Sequence, residues 1–144
     1  MIKGLLSGFK AAVVFGLVLL SINSVQAGDG IGVMGDDGVL HVNALDADRL
    51  LKKNPKIIVL DVRTGQEFKQ GHIKGAINLN YYDNDFKELV RMLDQTETYL
   101  VHCKTGRRSG LSIPIMKAAG FKNLAHMDHG FDGWRKAGLA ISTN

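Results

Sequence analysis

The 144-residue chain holds one cysteine, Cys103. It lies in Val101-His102-Cys103-Lys104-Thr105-Gly106-Arg107-Arg108-Ser109-Gly110, where the thiol is followed closely by Lys104, Gly106, Arg107 and Arg108. This pattern suits nucleophilic chemistry. Positive charge and backbone N–H groups converging in a tight loop favour the thiolate, which is the reactive form of cysteine. The same groups form an anion site, strengthened by the N-terminus of a following helix. A lone cysteine cannot close an internal disulfide, and oxidising compartments penalise idle thiols. The bland alternatives are a buried, inert Cys or an intermolecular disulfide. The basic, glycine-containing surroundings argue for reactivity.

The elements around the thiol must deliver it to one end of a sheet. Thr98 to His102 reads as a strand, and Arg107 to Ala119 as the helix after the loop, ended by Gly120. Pro114 inside that helix is expected to kink or break it. Upstream, Val39 to Val42 is a short strand. Asn43 is placed to cap a helix over Ala44 to Lys53, with Leu45, Leu50 and Leu51 on one side. Lys56 to Val62 is a near-continuous apolar run, as in a parallel strand buried on both faces. Thr64 to Gln70 is a short helix whose Thr64 and Glu67 fit a capping box. Ala76 to Leu79 is a strand. Asp83 or Asn84 is expected to cap a helix to about Leu93. Asn123 to Met127 is the last of five strands, and Phe131 to Ala137 a closing helix. Strand and helix alternate with short connections, which predicts an α/β fold: a doubly wound, mainly parallel five-stranded sheet with helices on both faces. Ligands of such sheets bind beyond the carboxyl ends of the strands, where Cys103 sits.

The first 27 residues read as a signal peptide. Lys3 and Lys10 give a basic start, Ala11 to Leu20 is unbroken apolar sequence, and Val25-Gln26-Ala27 offers a cleavage site. The run is short for a membrane span, which needs ~20 residues. No cysteine follows the cleavage point to anchor a lipid, and no Arg pair precedes the run. An uncleaved N-terminal anchor is the alternative. Removing 27 of the 144 residues leaves 117, enough for one core. Residues 28–38, rich in Gly and Asp, read as a flexible leader, and residues 39–144 as one domain. The formal charge of +4 drops by the two signal lysines. No basic patch interleaved with aromatics is present, so no nucleic-acid partner is expected. The expected localisation is periplasmic or secreted, without a stable membrane anchor after cleavage, and the mature chain is expected to be a monomer.

Two stretches together resemble the rhodanese family of sulfurtransferases. One is Leu60-Asp61-Val62-Arg63-Thr64-Gly65-Gln66-Glu67-Phe68 followed by Gly71-His72-Ile73-Lys74-Gly75-Ala76-Ile77-Asn78-Leu79. The other is the His102 to Ser109 loop. Gly130-Phe131-Asp132-Gly133-Trp134 with Gly138-Leu139 adds a weaker third. The likeness spans about Val39 to Ala140 and is similar in plan to the small single-domain periplasmic rhodaneses, the phage-shock-protein type included. It implies the rhodanese-like version of the fold. One departure is His129 before Gly130, where the family often pairs glycines; this is expected to alter the adjacent loop without removing activity. Loop length separates the chemistries of the fold. Sulfurtransferases have a six-residue loop starting at the cysteine, here Cys103 to Arg108. Related phosphatases and arsenate reductases place Arg one position later, where this chain has Ser109.

The resemblance implies a thiosulfate sulfurtransferase working by double displacement through a Cys103 persulfide, with no cofactor. Its partners are a small anionic sulfur donor and a thiol or cyanide acceptor. Cys103 is the nucleophile. The amides of Lys104, Thr105, Gly106, Arg107 and Arg108 would hold the persulfide sulfur. The Arg108 side chain would orient the donor's anionic end, with Arg107 and Lys104 adding attraction. Gly106 allows the tight turn. The alternatives are a non-catalytic sulfur carrier or redox-sensing thiol module, and a phosphatase or arsenate reductase. Structural roles are expected elsewhere. Ser109 either hydrogen-bonds near the sulfur or caps the helix, with capping favoured; Asp61 bonds turn amides, and Arg63 pairs with Glu67. His72 fixes its turn, His102 points away from the thiol, and Trp134 packs. Tyr81 and Tyr82 lie in a loop that could rim a pocket. His102, His126 and His129 match no recognised zinc spacing, so no metal is expected.

Overall fold

The computed structural model describes residues 30–143. The expected signal peptide, residues 1–27, lies outside them. Six strands and five helices follow in order: β1 (Val33–Met34), β2 (Leu40–Val42), α1 (Ala44–Lys53), β3 (Ile58–Asp61), α2 (Gly65–Lys69), β4 (Ile77–Asn78), α3 (Phe86–Met92), β5 (Tyr99–His102), α4 (Arg107–Ala118), β6 (Leu124–Met127) and α5 (Gly130–Lys136). The sheet order is β1-β2-β6-β5-β3-β4. All pairings are parallel except β1 with β2. Central β5 lies between β3 and β6, so its carboxyl end opens in the middle of the sheet. Among the described residues no helix is long and apolar enough to cross a membrane.

Side chains alternate across the strands with period two. Leu60, Tyr99, Val101 and Leu124 face one way and pack with Phe86 and Val90 of α3 and Ile113 and Met116 of α4. Val59, Leu100, Ala125 and Met127 face the other way, toward Ala44 and Ala47 of α1 and Phe131 and Trp134 of α5. Helices therefore cover both faces of the sheet. Each fully buried Leu in these layers contributes about 1.5–3 kcal/mol. Such layers fix the height at which β5 ends.

Local signals set several boundaries. The Asn43 side chain accepts from Asp46 N at 2.9 Å and starts α1. The Thr64 capping box starts α2, with reciprocal bonds to Glu67 of 3.0 and 3.2 Å. Four expectations needed correction. The sheet has a sixth strand, because Val33–Met34 of the expected leader pairs with β2. Backbone pairing needs no hydrophobic period, and Val33 and Met34 are 72% and 63% exposed. Pro114 does not break α4. It sits on the exposed face, so solvent can serve the carbonyl it leaves unpaired. Helix α3 starts after Asp85, with no side-chain cap from Asp83 or Asn84. Leu45 is exposed rather than aligned with Leu50 and Leu51, because it lies ~200° around the helix from the buried Ala47.

Candidate active site

Strand β5 ends at His102, and the next residue is the thiol. Chain direction must then reverse within three residues to begin α4. Gly106 makes that possible: it is the N-cap of α4 with φ +98°. A Cβ there would collide with the Asp128 carbonyl. The turn aims the Gly106 amide at Cys103, and its N–H donates to Sγ at 3.2 Å. The Ser109 hydroxyl lies 3.5 Å from the same sulfur. Cys103 is buried. Burial raises its pKa, but hydrogen bonds from the Ser109 hydroxyl and from the Ser109, Thr105 and Gly106 amides outweigh it, and the thiol falls below its ordinary range.

The other side of the loop is held by α5. Phe131 N donates to Cys103 O at 2.8 Å and Asp132 N to Lys104 O at 2.9 Å. Those bonds need close backbone approach, and Gly130 allows it: a Cβ at this position would stand 2.5 Å from Cys103 O. His129, the departure noted above, immediately precedes that contact and is exposed.

The cations of the loop divide into two sets. Both Nη atoms of Arg108 donate to Glu67, at 2.7 and 2.8 Å. Glu67 is thereby lowered to a pKa of about 2, chiefly by Arg108 and against the effect of burial. The Arg108 guanidinium also lies 5.5 Å from the Tyr82 ring centroid. Lys104 and Arg107 are exposed, and among the described residues no ion-pair partner is assigned to either. Thr105 is exposed beside them, and Tyr81 packs on Phe86 at 5.4 Å. A small polar pocket of about 120 Å³ opens next to the loop, lined by Lys104 with Glu67, Asp132 and Arg135.

Two expected side-chain roles are corrected here. Arg63 does not pair with Glu67. It donates to buried Asp61 at 2.6–3.0 Å, through Nε and Nη2, and to Gly71 O at 2.8 Å. A fully buried carboxylate requires a buried cation, and Arg63 is the near one. Glu67 is left free to face Arg108. Ser109 is not the helix cap, since Gly106 occupies that position. Its hydroxyl is buried between Gly106 O at 3.0 Å and His126 Nε2 at 2.8 Å.

The remaining residues lie near the site in varied roles. Asp61 also accepts from Arg63 N, a turn amide, at 2.9 Å. His102 is fully buried, bonds Cys103 O at 3.0 Å through Nδ1, and stacks toward Phe131 on the α5 side of the sheet. Burial holds it below the ordinary histidine range, against the pull of Asp61. His72 bonds Phe68 O at 3.0 Å. Trp134 Nε1 donates to Ala140 O at 2.9 Å. Sequence reasoning did not find that His41 and Asp128 join His126. The Nδ1 atoms of His41 and His126 lie 2.8 and 3.0 Å from the same Asp128 oxygen. Strands β2 and β6 pair His41 with His126 directly, a register no local pattern reports.

The Rhodanese-like domain model matches residues 43–137. Thiosulfate sulfurtransferase 16, chloroplastic, of Arabidopsis thaliana is 37% identical over 90 residues, covering 56% of this chain and 75% of that protein. Arsenate reductase 2.1 of Oryza sativa subsp. japonica is 26% identical over 114 residues, covering 72% and 71%. The crystal structure of a rhodanese-related protein from Thermoplasma volcanium superposes with a TM-score of 0.63 at 25% identity, covering 72% of this chain and 98% of that one. With the thiol at the carboxyl end of the central strand and the matched residues spanning α1 through α5, this chain belongs to the rhodanese-like domain family.

Proposed function

We propose that the protein is a sulfurtransferase that moves a sulfane sulfur through a persulfide on Cys103. One observation carries the reading: the sulfur receives the Gly106 amide in a six-residue stretch, Cys103 to Arg108, whose last two residues open α4. A cradle of this length suits one extra sulfur atom. The thiolate attacks the outer sulfur of thiosulfate or a similar donor. A bond forms between Sγ and that sulfur, the bond to the sulfite group breaks, and sulfite leaves with the electron pair. A thiol or cyanide then attacks the terminal sulfur and releases the Cys103 thiolate. The amides of Lys104, Thr105, Gly106, Arg107 and Arg108 oppose the negative charge on the persulfide. Lys104 and Arg107, exposed and without an assigned ion-pair partner among the described residues, attract the anionic donor. Arg108 acts differently from the sequence expectation: with both nitrogens on Glu67, it shapes the loop and supplies field rather than a free clamp. No cofactor takes part.

Export with cleavage after Ala27, and action as a periplasmic or secreted monomer, form part of this proposal. The N-terminal residue of the protein recovered from the exported fraction tests the cleavage.

A second reading has one specific support, the similarity to a protein named arsenate reductase. The Ser109 hydroxyl stands where that chemistry would place an arginine, which favours sulfur transfer. Intact-mass measurement after thiosulfate, with sulfite release followed alongside, decides between them. Gain of one sulfur by the native protein, absence of gain in Cys103→Ser, and repeated sulfite release with cyanide are expected. Turnover of arsenate or an aryl phosphate without sulfur gain moves the assignment to the second reading. A persulfide that forms once and passes to a single protein partner moves it to a sulfur-carrier role.

A further inference from the structure

From Cys103 a chain of polar contacts runs through α4 to β6, and the proposed reaction does not use it. Ser109 Oγ lies 3.5 Å from Cys103 Sγ and 2.8 Å from His126 Nε2. His126 Nδ1 lies 3.0 Å from Asp128 Oδ1. His41 Nδ1 reaches the same oxygen at 2.8 Å. Ser109 is fully buried and His126 is 7% exposed. One nitrogen or oxygen atom from each of His41, His126 and Asp128 lies within 4.8 Å of the others, and all three side chains are engaged within this network.

Proton counting fixes the directions. A carboxylate can only accept, so both imidazoles present Nδ1–H to Asp128. Neutral His126 then has a bare Nε2, and the only hydrogen it can accept from its neighbour is the Ser109 hydroxyl proton. Ser109 has one such proton and three acceptors in range: Sγ, Gly106 O at 3.0 Å and Nε2. With that proton on Nε2, the Ser109 oxygen is open to accept from the Cys103 thiol. Once His126 is charged, Nε2–H donates to Ser109, and the hydroxyl proton is released toward the sulfur.

We infer that His126 is a positioning residue that takes up the Cys103 thiol proton through Ser109 and so couples thiolate formation to its own protonation. The step balances without any other reactant. The thiol proton passes to Ser109 Oγ, the hydroxyl proton of Ser109 passes to His126 Nε2, and Asp128 stays ionised beside the resulting imidazolium. The thiolate gains the Ser109 hydroxyl as a donor in the same step. The inference rests on Cys103 being the nucleophile, as in the sulfur-transfer reading, and goes beyond it by naming where the proton goes.

The charged and titratable groups facing His126 come from every neighbouring element. Asp128 belongs to its own strand and the following turn, His41 to β2, and His102 to β5. Asp37, in the β1–β2 turn, stands 3.9 Å from His41 Nε2. Ser109 and Lys117 come from α4, and Lys117 and Asp37 line the pocket that opens over the two histidines. The Lys117 ammonium bonds the Asp37 carbonyl. Burial lowers the His126 pKa, against the pull of Asp128, so the neutral, proton-accepting form prevails near neutral pH.

Because the chain has a single cysteine, ultraviolet thiolate absorbance against pH reads Cys103 alone, with Cys103→Ser as the blank. His126→Gln keeps a hydrogen-bond donor to Ser109 but cannot titrate. Its thiolate midpoint should move upward by about half to one pH unit, and Ser109→Ala should do the same. The double variant should shift no further than either single one, because both cut one path. Ser109→Thr should restore the native profile. Superposition of His126→Gln on the native curve, or simple additivity in the double variant, overturns the inference. A second measurement needs no mutation: the imidazole ¹⁵N signals of His126 titrated before and after alkylation of Cys103. A midpoint that moves on capping the sulfur is expected, and an unchanged midpoint overturns the coupling. Neither readout needs a sulfur donor. Failure of sulfur transfer would leave both standing, and intact sulfur transfer with a flat His126 response would remove only this inference.

Discussion

The two walls of the active loop are built in different ways. On the α5 and β6 side the loop is held by backbone: Phe131 N and Asp132 N donate to Cys103 O and Lys104 O, and Gly106 and Gly130 allow approach that a Cβ would block. On the α2 side it is held by charge: Arg108 grips Glu67, which in turn closes the Thr64 capping box. A wall of amides and carbonyls has no titratable group and tolerates no side chain. An ion pair at partial exposure tolerates conservative change but responds to pH and salt. The first wall sets the position of the sulfur, and the second sets the shape and field of the entrance.

The backbone wall should give the largest effects. Gly106→Ala forces a side chain into a φ of +98° and against the Asp128 carbonyl. A loss of about 2–4 kcal/mol of stability, or a displaced loop with a thiol returned toward its ordinary acidity, is expected. Thermal unfolding and the thiolate titration measure these separately. A Gly106→Ala protein with native stability and native thiol acidity would erase the distinction between the walls.

The charged wall comes next. Glu67→Gln should cost about 1–2 kcal/mol, and a double-mutant cycle with Arg108→Ala should show most of that cost shared. The pH dependence has a definite sign. Glu67 is ionised in the fold down to a pKa of about 2, against an ordinary value of 4.5. Its contribution is therefore complete above about 4.5 and is lost as pH falls toward about 2. The stability gap between native protein and Glu67→Gln should be constant near neutrality and close across that acid window. Denaturant unfolding at several pH values reads it, and a gap that persists at the acid end would assign Glu67 a packing role instead.

The smallest effect belongs to Tyr82, whose exposed ring lies 5.5 Å from the Arg108 guanidinium. Tyr82→Leu should cost no more than about 0.5–1 kcal/mol and should leave the Cys103 titration unmoved. A shift in thiol acidity from this change would show that the two walls are coupled more tightly than their separate construction suggests.

Much of the fold was legible because its signals are local. Asn43, Thr64 with Glu67, and Gly106 each act on neighbours within three residues, and the apolar run before Asp61 reports burial on both faces. The strand count was short by one because β1 is an edge strand with exposed side chains, held by main-chain bonds that leave no hydrophobic pattern. Arg63 and Glu67 show a different limit. Their spacing allows an ion pair with each other, but the buried Asp61 carboxylate claims Arg63, and Arg108, 41 residues along the chain, claims Glu67. Spacing cannot rank partners whose burial is not yet known.

By itself the sequence determined the thiol, the glycine that bends the loop beneath it, the basic residues that follow, and the alternation that puts them at the end of a parallel strand. These depend on residue type, φ preference and short-range periodicity. Only the tertiary structure decided which cations remain free for a ligand and which polar groups stand behind the sulfur. Lys104 and Arg107 have no assigned ion-pair partner among the described residues, whereas α2 brings Glu67 to Arg108. Ser109 meets His126 because α4 packs on β6, and His41 meets both His126 and Asp128 because β2 pairs with β6 in one register. Those contacts join residues far apart in the chain, and their energies depend on burial and distance, which exist only once the two layers have packed.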